Sequence, residues 1–69
     1  MKVNEEWSRR KFLEVNRAYL RLTQQELADL VGCKSISISF QENGRRPVKD
    51  EVIEALRAKG ETLEPLALF

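Results

Sequence analysis

An all-α fold is what this sequence predicts: a compact domain of four to five short helices, the second and third joined by a tight turn. Three observations carry the expectation. Apolar residues recur at three- and four-residue spacing in four successive stretches, the period of one helical face. Gly32, Gly44 and Gly60 stand at the ends of three of those stretches, where a helix stops and the chain turns. The length of 69 residues, 42% of them hydrophobic, suits one small helical core.

Residues 1–4 are expected to fray. From about Glu5 to Leu20 there is neither glycine nor proline, and the pattern is helical. Leu13, Arg17 and Leu20 form one stripe, with Phe12, Val15 and Tyr19 beside it. Glu5 and Glu6 near the start and Arg17 and Arg21 near the end suit the helix dipole. The stripe is wider than a small bundle needs. Trp7, Phe12 and Tyr19 are therefore either ordinary core, the plainer reading, or a surplus packed under the C-terminal tail or against a second subunit.

Gln24–Val31 places Leu27, Ala28 and Val31 on one helical face, and Thr23 with Glu26 three residues later makes a capping box at its start. Gly32 interrupts as a helix-ending residue able to take positive φ. Ser35–Glu42 resumes with Ile38 pointing inward and a largely uncharged outer surface. Two short helices meeting at a glycine turn make a helix-turn-helix, an arrangement in which the first helix braces and the second is free to enter a groove. After Gly44, Arg45-Arg46-Pro47 is a basic turn that proline keeps from continuing as helix. Lys49–Lys59 is the fourth helix, with Val52, Ala55 and Leu56 inward, Asp50 and Glu51 in its first turn and Gly60 after its last. Residues 1–60 thus form the domain. Residues 61–69 are a tail, read either as one short turn capped by Thr62 and containing Pro65, or as an apolar arm over Leu66–Phe69 that serves dimerisation.

Composition narrows the function classes. One cysteine, Cys33, and no histidine leave no ligand set for structural zinc and no internal disulfide, so no cofactor is expected. The start, MKVNEEWSRRK, is too charged for a signal peptide and no long apolar run follows, which suits a cytoplasmic protein with no membrane partner. An enzyme is a poor reading. There is no nucleophile–base spacing, no phosphate-binding glycine loop and too little chain for a substrate pocket.

The net charge of +1 is weak support for a nucleic-acid partner, but its distribution is uneven. Residues 1–22 carry +3 and 45–60 carry +2, whereas 23–44 hold Glu26, Asp29 and Glu42 against Lys34. The flanking cations are Arg9, Arg10 and Lys11 on one side and Arg45, Arg46 and Lys49 on the other. A DNA footprint can be that local. The plain alternative is solvated surface charge.

The run LTQQELADLVGCKSISISFQENGRR resembles the helix-turn-helix of the phage Cro and repressor class, the lambda-repressor-like domains, with the match good over Leu13–Pro47. Its apolar positions are filled by Leu27, Val31, Cys33 and Ile38, with small Ala28 at the helix crossing and Gly32 at the turn. The resemblance implies a buried ion pair between Arg17 and Glu42, which would remove Glu42 from the charges facing DNA. It implies that Ser35, Ile36, Ser39 and Phe40 read base edges and that Gln24, Lys34, Asn43, Arg45 and Arg46 hold phosphates. Without Arg-to-guanine or Gln-to-adenine pairs on this helix, the preference expected is for thymine methyls, with modest discrimination per base. Three positions depart from the family pattern. Gln41 stands where an apolar residue is usual, Phe40 where a polar one is usual, and Lys34 where a capping Ser or Thr is common. Either the helix rotates to bury Phe40, or Phe40 presents an apolar face to the groove beside Ile36, the arrangement favoured. The implied function is sequence-specific double-stranded DNA binding by a small transcriptional regulator, a phage or prophage repressor. It would act as a homodimer, formed in solution or only on DNA, at a palindromic operator. The alternative is a protein-interaction module on the same scaffold, an anti-activator or antitoxin-like partner.

Overall fold

The structure, a computed structural model, describes residues 5–65. It is all-helical, with no strand among the described residues: α1 (Glu5–Tyr19), α2 (Gln24–Val31), α3 (Ser35–Glu42) and α4 (Asp50–Lys59). Lys49, expected inside the fourth helix, is its N-cap residue instead. α2 lies against both α3 and α4, and α1 closes the body from the other side.

The core is Phe12 and Leu13 of α1, Leu22, Leu27 and Ala28 of α2, Ile38 of α3, Val48, and Val52 and Leu56 of α4. Leu20, Val31, Cys33, Ile53 and Ala55 pack around it. Each fully buried Leu or Ile contributes about 1.5–3 kcal/mol relative to exposure, so these few side chains decide whether the chain folds. The broad stripe expected on α1 is narrower than predicted. Phe12 is buried, but Tyr19 is exposed, because α1 ends there and the chain turns away.

Three helices end in one way. Leu22, Cys33 and Arg45 each donate a backbone N–H to the carbonyl five residues back, on Arg17, Ala28 and Phe40 respectively. The residue before each donor has positive φ: Arg21 at 57°, Gly32 at 86° and Gly44 at 83°. This is the bond that closes a Schellman ending, and it turns the chain sharply while satisfying a terminal carbonyl. Glycine takes that conformation freely. Arg21 does so at a cost of about 1 kcal/mol.

The tail to Pro65 is tied to the body and does not project as an arm. Asn16, fully buried, donates from Nδ2 to Leu63 O at 2.7 Å and accepts from the Leu63 N–H, pairing with that residue's backbone in both directions. Pro65 is buried. The apolar arm considered for Leu66–Phe69 lies outside the described residues.

Candidate nucleic-acid interface

The inner side of α3 is anchored by polar groups as well as by Ile38. Arg17 on α1 makes a two-pronged ion pair with Glu42, Nε to Oε1 and, at 3.2 Å, Nη2 to Oε2. Its third nitrogen, Nη1, donates to Leu22 O at 2.8 Å. The side chains of Arg17 and Glu42 are 24% and 13% exposed, sheltered enough for both charges to need each other. Gln24 Nε2 also donates to Glu42 Oε2, at 3.4 Å. The Gln24 amide, expected at a phosphate, is thus spent here on the ion pair.

Gln41 is the polar group that sequence reasoning left without a role. It is 1% exposed, accepts from the Lys49 N–H at 3.1 Å and donates to Ser37 Oγ at 3.3 Å. It thereby caps the start of α4 from inside the core, which explains a polar residue at an apolar position. Its signal was that Lys49, at the head of α4, brings no capping side chain of its own.

The starts of α2 and α3 differ. Thr23 Oγ1 accepts from the Glu26 N–H and Glu26 Oε1 accepts from the Thr23 N–H, both at 3.0 Å. The backbone N–H of Thr23, together with its hydroxyl, holds the Glu26 carboxyl below the usual glutamate range. Lys34, exposed at the N-cap of α3, makes no capping hydrogen bond.

The outer side of α3 is left to solvent. Ile36 is 54% exposed, and the Ser35 and Ser39 hydroxyls have no hydrogen-bond partner among the described residues. Phe40 differs from the free apolar face expected. It is half-buried, and its ring is faced by the Arg46 and Arg45 guanidinium groups at 5.1 and 5.8 Å. The Schellman ending brings this about. Asn43 Oδ1 accepts from the Arg45 N–H at 3.1 Å, Gly44 reverses the chain, and both arginines return over the last turn of α3.

The basic flanks sort into used and unused cations. Arg9 donates to Val48 O at 2.6 Å and to Asp50 at 2.7 Å, fastening α1 to the start of α4. Lys11 lies 3.4 Å from Glu14. Arg10, Arg45 and Arg46 have no carboxylate partner among the described residues.

The described residues contain no cluster of three or more His, Cys, Asp or Glu placed to hold a metal, and no helix long and apolar enough to cross a membrane. Comparison with models of known families, with curated proteins and with solved structures returns no match.

Proposed function

We propose that α2 and α3 act as a helix-turn-helix of lambda-repressor-like type and that the chain binds double-stranded DNA as a small transcriptional regulator. A phage or prophage repressor working as a homodimer on a palindromic site is the specific form proposed. One observation supports this most: α3 is pinned from behind by Ile38, Gln41 and Glu42 while its outer residues Ser35, Ile36 and Ser39 have nothing to contact. A rigid, uncharged helix edge beside unpaired arginines suits a major groove flanked by phosphates. In this reading Ser35, Ile36 and Ser39 meet base edges, and Lys34, Asn43, Arg45 and Arg46 meet the backbone. The role of Phe40 is taken up below.

A second reading is a protein-binding face, favoured by exposed Ile36, Leu30 and Tyr19. Salt separates the two. DNA affinity falls steeply with salt, because each phosphate contact releases condensed counterions. Neutralising Arg45 and Arg46 together is expected to flatten the plot of log K against log salt by about 2 units. Duplex binding with no salt dependence, or a slope untouched by that double change, counts against DNA.

A further inference from the structure

Arg10 is a cation that nothing in the described fold uses. It sits on α1, half-buried, with its guanidinium against the turn that ends α3. A Cβ added at Gly44 would come within 2.3 Å of Arg10 Nη1. Gly44 therefore has two functions, taking the positive φ and leaving the space the guanidinium fills. Arg45 follows directly, and with Arg46 it lies over the Phe40 ring.

The neighbouring carboxylates are already committed. Glu6 accepts the Val48 N–H, Glu14 is beside Lys11, Glu42 holds Arg17, and Asp50 holds Arg9. Three guanidinium groups thus gather around one turn with no anion of the described chain between them. Guanidinium is a planar, multidentate donor matched to phosphate oxygens, and it stacks on an aromatic face without losing its donors.

We propose that Arg10, Arg45 and Arg46 form a single clamp for a backbone phosphate of duplex DNA, and that Phe40 is the platform orienting two of them. The proposal rests on the DNA-binding reading above. It adds a contact from α1, outside the helix-turn-helix, and it makes Phe40 a positioning residue for arginines in place of a reader of thymine methyls. An aromatic ring is required there, because an aliphatic side chain of similar bulk offers no negative face to a cation.

Two measurements test it. In the first, inorganic phosphate is titrated into the protein against sodium chloride of equal ionic strength, and the arginine Nε–Hε NMR signals are followed. Saturable shifts of Arg10, Arg45 and Arg46 with one apparent constant are expected. Shifts of Arg45 and Arg46 that leave Arg10 unmoved would overturn the clamp. In the second, duplex affinity is measured against salt for the wild type, Arg10→Gln, Phe40→Leu, Phe40→Tyr and, as control, Arg57→Gln, whose cation is already paired with Glu64. Melting curves establish that each is folded.

Arg10→Gln is expected to lower the slope by about 0.9, the share of one phosphate, and equally on all sequences. Phe40→Leu is expected to weaken binding uniformly, Phe40→Tyr to restore it, and Arg57→Gln to leave the slope unchanged. A wild-type slope in Arg10→Gln overturns the clamp while DNA binding stands. Altered sequence preference in Phe40→Leu, with the slope kept, overturns the platform. If the wild type binds no duplex but phosphate moves all three signals together, the anion site stands and the DNA reading falls.

Discussion

α2 and α3 are both eight residues long and end in the same glycine turn, yet they are held in different ways. α2 carries its own instructions. Thr23 and Glu26 cap its start reciprocally, and Leu27 and Ala28 bury its inner face. α3 has no side-chain cap at Lys34 and buries only Ile38 and Gln41. What holds it comes from elsewhere: Arg17 on Glu42 and the Lys49 N–H on Gln41. The contrast teaches a division of labour. A brace can be specified locally, whereas a helix with one side left open must be gripped by distant residues on the other.

Removing the grip should have the largest effect. Arg17→Ala leaves Glu42 sheltered and unpaired and the Leu22 carbonyl without its guanidinium donor, a loss of about 3–5 kcal/mol that a small domain hardly survives. Thermal melting should show a largely unfolded chain. A curve like the wild type's would mean that α3 is held some other way.

Gln41→Ala attacks the same grip more gently. It strips the Lys49 N–H and Ser37 Oγ of their buried partner and should cost about 1–3 kcal/mol in urea unfolding. A change within error would make Gln41 a spectator.

The local hold on α2 can be read by acid titration. The folded carboxyl of Glu26 titrates below its ordinary range, so its contribution is fully present above that range and is lost as pH falls through the lowered value. Glu26→Gln should remove this part of the pH dependence and leave α3 undisturbed, as followed by NMR of the Ser35–Glu42 amides. Equal disturbance of both helices would erase the distinction drawn between them.

The smallest stability effect belongs to the open side. Ile36→Ala with Ser39→Ala should move stability by no more than about 0.5 kcal/mol, since neither side chain is fully buried. A large loss of stability would make that side structural.

What the sequence disclosed follows the same division. The capping box of α2 and the glycine ending it are short-range patterns, readable from neighbouring residues. Arg17 and Glu42 lie 25 residues apart, and only the family resemblance suggested that they meet. Nothing local marked Arg21 as the residue of positive φ closing α1, because glycine was the expected signal and arginine stands there. Asn16 looked like one polar residue among several on α1, although its amide pairs with Leu63 across 47 residues. Charge runs were legible as runs but not as roles. Arg9, Arg10 and Lys11 read alike in sequence, yet one fastens α4, one lies against the Gly44 turn and one stands beside Glu14.

The central claim is that the open side of α3 meets base edges, and selection from a random pool of duplexes at low ionic strength tests it most directly. The account predicts an enriched, two-fold-symmetric motif with half-sites about one helical turn apart, which Ile36→Ala with Ser39→Ala blurs. A pool that emerges unenriched, from protein shown to be folded, would contradict it.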